Sequence, residues 1–237
     1  MLQGRYAVAT MNDTLHVDIW SDIACPWCYI GKRRFEAGIA EFNGKHPDIE
    51  IEIESHSYEL APDTPDNYEG SEIDFLTKHK GMPRERVEDM LEQMTQMAAL
   101  EGIEFDFSKL QHANTSRAHR VLHLAKSQGL QAEMQDRLFR AYFTEGRLVS
   151  DVETLAVLGE EVGLDADEVR DAYEDEEYED AVERDITRAR MLGVNGVPYF
   201  LFEEKYAVSG AQSAETFANV LEQVLAFRDS GTEPEDQ

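Results

Sequence analysis

The two cysteines of this 237-residue chain lie three positions apart, in Cys25-Pro26-Trp27-Cys28. Upstream runs an apolar, β-branched segment, Leu15-His16-Val17-Asp18-Ile19-Trp20, and downstream a helical pattern opens with Tyr29, Ile30 and Phe35. A strand that feeds a C-x-x-C at the start of a helix reads as a redox pair. Thiols at i and i+3 share one side of a helical turn, with Cβ atoms about 5–6 Å apart, close enough to bridge after a small adjustment. Cys25 falls at the helix start, where free backbone N–H groups and the positive dipole end favour a thiolate, so its pKa is expected below the free value of about 8.5. Cys25 is therefore the expected nucleophile, and Cys28, one turn further in, the resolving thiol. Pro26 suits the first helical position because its missing N–H costs nothing there. Trp27 is expected beside Cys25, limiting access to it.

A lone C-x-x-C is also half of a zinc site, but no second pair is present. His119 and His123 have ligand-like i, i+4 spacing yet lie far along the chain, so no metal is expected.

The surrounding pattern gives the architecture. Residues 14–20 read as a strand. Residues 26–43 read as a helix, with Ile30, Phe35, Ile39 and Phe42 at helical spacing and Asn43-Gly44 at its end. Ile49-Glu50-Ile51-Glu52-Ile53-Glu54 alternates like a strand with one buried face. After the loop Ala61–Asn67, helical period dominates from about 72 to 190, with Ser150-Asp151-Val152-Glu153 reading as a capping box on Ser150. Gly129, Gly146 and Gly163 fall at plausible helix ends. Strand logic returns at Tyr199–Phe202, which is expected to form a hairpin with Tyr206–Gly210. Ala214–Arg228 is a final amphipathic helix. Val197-Pro198 immediately precedes the third strand, an allowed position for proline. This is an α/β layout with a helical insertion of roughly 120 residues, too long for a structureless loop.

Composition excludes several partners. The formal net charge is −27, and among 22 basic residues 15 are Arg and 7 Lys. Such a surface repels phosphates and anionic lipids, so neither nucleic acid nor membrane is an expected partner. An acidic, lysine-poor surface matches salt-in halophiles, where salt screens the self-repulsion. No apolar run reaches transmembrane length. The first ten residues do not read as a signal peptide, and Met11 is an alternative start. A cytoplasmic location is the resulting expectation.

Together these stretches resemble the DsbA-like thioredoxin superfamily, in particular the FrnE-like dithiol–disulfide isomerases, over about residues 15–228. The matching residues are Cys25 to Lys32, Asn114-Thr115-Ser116-Arg117-Ala118-His119-Arg120, Ser150-Asp151, Gly193-Val194-Asn195-Gly196-Val197-Pro198 and Lys205 to Gln212. The resemblance implies a thioredoxin-like fold with a large inserted all-helical domain. Residues 14–62 and 192–228 would form the discontinuous thioredoxin-like domain and 63–191 the insertion. Residues 1–13 would be a flexible extension and 229–237 a disordered acidic tail. It also implies that Val197-Pro198 is a cis dipeptide facing Cys25 and Cys28. Asn114 and Thr115 would start a helix that faces the active site, with helix capping an equal alternative for Asn114. Where relatives tend to carry an aromatic-proline-phenylalanine stretch, this chain has His56-Ser57-Tyr58-Glu59-Leu60, so His56 is a candidate groove residue or a surface histidine. Pro26, Trp27 and Val197 join the candidate substrate contacts, and His119 reads as a packed helix residue.

The implied activity is thiol–disulfide exchange through a mixed disulfide, on a protein or small-thiol substrate, with no cofactor beyond the redox pair and with glutathione as a candidate co-substrate. A homodimer is a candidate assembly. Two other classes stand beside it. One is a glutathione-dependent isomerase or kappa-class-like transferase, against which the paired cysteines argue. The other is a non-catalytic, chaperone-like binding module.

Overall fold

The computed structural model describes residues 14–65 and 68–230. The expected N-terminal extension therefore lies outside the described residues. In chain order the elements are β1 (Thr14–Ser21), α1 (Pro26–Asn43), β2 (Glu50–Ser57), α2 (Glu72–Lys78), α3 (Arg84–Leu100), α4 (Ser116–Ser127), α5 (Gln131–Arg140) continued by a π-helical turn (Ala141–Glu145), α6 (Val152–Val162), α7 (Ala166–Glu174), α8 (Glu176–Met191), β3 (Tyr199–Phe202), β4 (Tyr206–Ser209) and α9 (Ala214–Ser230). No helix among the described residues is long and apolar enough to cross a membrane.

The sheet order is β2-β1-β3-β4. β1 runs parallel to β2 and antiparallel to β3, which pairs antiparallel with β4. Alternation along β1 sends Leu15, Val17 and Ile19 to one face, where α1 and α9 cover them with Phe35, Phe42, Phe217 and Leu221. Trp20 points to the opposite face and packs with Ala189, Val194 and Leu201. The helices between β2 and β3 bury a second, larger core around Val121, Leu138, Phe139 and Phe143.

α1 belongs to both cores. Its first turns place Cys28, Tyr29 and Ile30 in the helical core, with Tyr29 stacked on Phe139 at 4.9 Å between ring centroids. Its last turns place Phe35 and Phe42 in the sheet core. The polar residues Lys32, Arg33, Glu36 and Glu41 take the rest of its surface.

Some expectations need correction. β2 alternates as expected, yet Ile53 on its apolar face is 42% exposed. β2 is the edge strand, and the α1–α9 core packs against Ile51 but leaves Ile53 beside the open cleft. The expected Ser150 cap is displaced by one residue: the Asp151 carboxylate accepts the Thr154 N–H at 2.8 Å, and Glu153 turns to Arg170 instead. A carboxylate gains more than a hydroxyl at the positive end of a helix. Gly44 follows α1 as expected but is right-handed, φ −59°. α9 continues to Ser230, two residues into the stretch expected as tail, and 231–237 lie outside the described residues.

Gly38 is where α1 meets α9 most closely. A Cβ there would lie 2.8 Å from the Ala214 carbonyl oxygen and 2.8 Å from Phe217 Cβ. Overpacking of this kind costs about 1–3 kcal/mol. Gly38→Ala is expected to lower the urea unfolding midpoint by a corresponding amount. Gly196→Ala, where nothing lies within 4 Å, should leave it near the parent value.

Candidate active site

The cysteines stand where strand, turn and helix meet. Cys25 is the N-cap of α1 (φ −93°, ψ 110°), with Pro26 in its first turn. Its N–H donates to the Asp22 carbonyl at 3.1 Å, and its own carbonyl accepts the Cys28 N–H at 3.0 Å. Both cysteines are free thiols, and both are buried, Cys25 nearly as deeply as Cys28. Pro26 and Trp27 between them are half-buried. Burial pushes the Cys28 thiol well above its ordinary pKa, and the adjacent Cys25 sulfur adds to the rise. The neighbouring polar groups of Asp22 and Ser21 work against that rise.

The opposite wall comes from the far end of the chain. The Val197-Pro198 peptide is cis, and the Val197 carbonyl accepts from the Cys25 thiol at 3.6 Å. This close approach depends on Gly31 of α1, where a Cβ would sit 2.9 Å from Pro198 Cγ and 3.3 Å from Ala211 Cβ. Two hollows flank the pair. A groove of about 220 Å³ runs beside Ala24 and Pro26, walled by Leu76, Met90, Met94 and Phe107. A wider cleft of about 520 Å³ lies over the sheet and is bordered by Cys28, Lys32, Ile53, Gln135 and Pro198.

Below the cysteines lies a carboxylate that sequence reasoning missed. Asp22, 1% exposed, accepts the N–H groups of Ala24 (3.2 Å) and Leu60 (2.7 Å) and the Thr115 hydroxyl (2.9 Å). Burial raises its pKa, but adjacent His119 and the two amides outweigh that, so its carboxyl sits below the ordinary value. The available signal was its position: an acidic residue closing an apolar strand three residues before Cys25.

The remaining expected residues divide. The structure brings Cys25, Cys28, Pro26, Trp27, Val197 and Pro198 together. Thr115 lines the smaller groove with its hydroxyl committed to Asp22. Asn114 lies one residue before the N-cap Thr115: its side-chain oxygen accepts the Ser116 N–H at 2.9 Å in the turn ahead of α4, and its amide donates to the Thr64 carbonyl at 2.7 Å.

His56 is neither a groove residue nor a surface one. It is 5% exposed, on the sheet face away from α1, between Asp18 (2.6 Å to Nε2) and Asp185 (2.9 Å to Nδ1). Its ring stacks on Trp20 at 4.6 Å. Asp185 also accepts the Ser57 N–H at 2.8 Å and lies 3.2 Å from His123, while Arg188 bonds Asp18 at 2.8 Å. This cluster joins β1 and β2 to α4 and α8. Asp18, Glu54 and His56 hold oxygen and nitrogen atoms within 4.8 Å of one another. However, Arg188 already occupies Asp18, and both His56 nitrogens are bonded, so this donor set is poorly suited to a cation.

The model of the DSBA-like thioredoxin domain family matches residues 16–222. The chain is similar to the crystal structure of a probable DsbA oxidoreductase from Streptomyces coelicolor, with 37% identity, a TM-score of 0.83 and coverage of 94% of this chain and 93% of that one. It is 28% identical to the protein YwbO of Bacillus subtilis over 212 residues, 88% of this chain and 96% of the relative. The cytosolic disulfide reductase DsbM from Pseudomonas aeruginosa, solved with GSH, shares the fold at 21% identity and a TM-score of 0.63, over 90% of this chain and all of that one.

The His56 cluster predicts a pH dependence. Burial lowers the His56 pKa, but Asp18 and Asp185 more than reverse this and lift it from 6.5 to about 9. A raised folded-state pKa gives stability that is fully present below about 6.5 and lost as pH rises through about 9. In a Cys25→Ser/Cys28→Ser host, which removes thiol titration, the urea midpoint should fall across that window at fixed ionic strength. His56→Gln should start lower and show a flatter profile.

Proposed function

The chain belongs to the DSBA-like thioredoxin domain family, and we propose that it is a thiol–disulfide oxidoreductase with Cys25 as nucleophile and Cys28 as resolving thiol. The observation that carries this reading is the Cys25 thiol at the N-cap of α1, in contact with the Val197 carbonyl beside cis Pro198. A thiolate at Cys25 attacks one sulfur of a substrate disulfide, forming a Cys25–substrate disulfide and expelling the other sulfur as a thiolate that takes up a proton. Cys28, once deprotonated, attacks Cys25. The Cys25–Cys28 bond forms, the second substrate thiol leaves, and the substrate has gained two electrons and two protons. The reverse sequence oxidises a dithiol.

Reduction and isomerisation are favoured over net oxidation on the same chemistry. In a reducing compartment the pair rests as thiols, and the high Cys28 pKa keeps the reduced form protonated. The DsbM likeness suggests glutathione as the small thiol that recycles the pair. The groove of about 220 Å³, apolar and flanked by methionines, supports a polypeptide substrate, because thioether side chains adapt to varied apolar partners.

The test is reduction of insulin and of glutathione disulfide, in salt high enough to screen the −27 charge. Cys25→Ser is expected to lose essentially all activity. Cys28→Ser is expected to accumulate mixed disulfides visible as a mass increment on Cys25. Equal turnover by the parent and both variants would overturn the redox assignment.

A further inference from the structure

The free edge of β2 is plugged along one half and open along the other. Tyr58, just past the end of the strand, donates its N–H to the Ser21 carbonyl of β1 at 3.0 Å. Main-chain groups of successive strand residues point to opposite edges, and the pairing with β1 is unbroken from Glu50 to Ser57. Even-numbered residues of β2 therefore face β1, and odd-numbered ones face outward. At the far end of the strand the outward groups are taken by side chains. The Gln131 amide of α5 donates to the Ser55 carbonyl at 2.9 Å and accepts the Ser55 N–H at 3.2 Å. The Ser57 N–H goes to Asp185 at 2.8 Å. Gln131 thus makes the pair of bonds that a residue of a neighbouring strand would make. Ile51 and Ile53 have no such cover: among the described residues no strand pairs with β2 on this side, and Ile53 is 42% exposed. Open apolar edges are what folded proteins ordinarily blunt or cover.

The two faces flanking this edge differ in chemistry. On one, Ile53 borders the cleft of about 520 Å³ that Cys28 and Pro198 also line. On the other, Glu52 and Glu54 share a hollow of about 370 Å³ with Asp18, Glu203 and Glu204, an excess of carboxylates over Arg188 and His16. A strand laid on the edge sends its side chains alternately to these faces, within about 5 Å of their neighbours. Apolar residues would enter the cleft over Ile53, and basic ones would meet the carboxylates. A second copy of the same edge would set glutamate against glutamate, which is unfavourable. The chain already imitates the complementary ligand at the Ser55 end, where Lys126 pairs with Glu54 beside the Gln131 plug.

We propose that the open edge at Ile51 and Ile53 binds an extended polypeptide by strand addition, with apolar and basic residues alternating along it. The N–H and C=O groups of Ile51 and Ile53 pair with its main chain, and Gln131 ends the site by occupying Ser55. A strand held there runs beside the cleft that Cys28 borders. That the thiols act on such a strand rests on the redox reading above; the docking does not.

Binding is measured by fluorescence anisotropy in the full-length Cys25→Ser/Cys28→Ser protein, so its failure is distinct from a failure of the redox assignment. The probe is a short fluorescein-labelled peptide of alternating lysine and valine. Two analogues carry N-methyl groups, one on its valine amides and one on its lysine amides, and keep the same side chains and charge. Strand addition uses one set of amides, so one analogue is expected to bind about tenfold more weakly than the other. Ile53→Pro removes an outward N–H without touching the ladder to β1 and is expected to weaken the unmodified peptide by about tenfold. Gln131→Ala uncovers Ser55 and is expected to strengthen it by about threefold. No binding of the unmodified peptide, equal binding of the two analogues, or unchanged affinity in Ile53→Pro would overturn the proposal. If Ile53→Pro does not fold, Ile53→Lys, which sets a charge where the valines would pack, carries the same expected loss. Sedimentation of the unliganded protein as a dimer that Ile53→Lys dissociates would make a second copy the occupant, and would also overturn it.

Discussion

One buried carboxylate fixes the geometry on which the rest depends. Asp22 gathers the turn before α1 through Ala24, the loop after β2 through Leu60 and the start of α4 through Thr115. An ionised carboxylate at such depth is costly unless its oxygens are filled. Here they are, so the cost becomes a reason for three distant segments to meet at one point. Its main-chain carbonyl accepts the Cys25 N–H. The same residue thus sets the floor of the redox site and the seam between sheet and helices.

Around that point α1 acts as a shared wall. Tyr29 and Ile30 are core residues of the helical segment, whereas Phe35 and Phe42 are core residues of the sheet. The inserted helices are therefore not an appendage over a finished domain. They complete the burial of the first turns of α1, where the thiols are. The charged cluster of Asp18, His56, Asp185 and Arg188 repeats the arrangement on the opposite sheet face. In both places a polar group on the sheet finds its partner on an inserted helix.

Local pattern was sufficient for most of the elements. Period alone located β1, α1 and the long helices, and Pro198 was identifiable because a proline before an apolar strand is restricted in use. What local pattern could not decide was which polar residues would be buried. His56 looks like any surface histidine in Ser55-His56-Ser57, because its interior position is set by Asp18 and Asp185, far away along the chain. Thr115 likewise gives no local sign that its hydroxyl serves Asp22. Ile51 and Ile53 promise one covered face, but only Ile51 packs against the core, because coverage of an edge strand depends on how far a distant helix extends. The cap of α6 failed for a smaller reason: Ser150 and Asp151 are both good caps, and only the path of the chain distinguishes them.

The central place of β3 also bears on how the molecule is made. Val17 pairs with Phe202 across almost the whole length of the chain, so during synthesis β1 has only β2 beside it until the last few dozen residues emerge. A two-stranded ribbon is marginal alone, whereas the intervening helices rest on local contacts and form early. The two thiols thus leave the ribosome long before the peptide that will face them has been translated. For that interval they lack the Val197-Pro198 wall, and the inserted helices are the part of the site already in place around them.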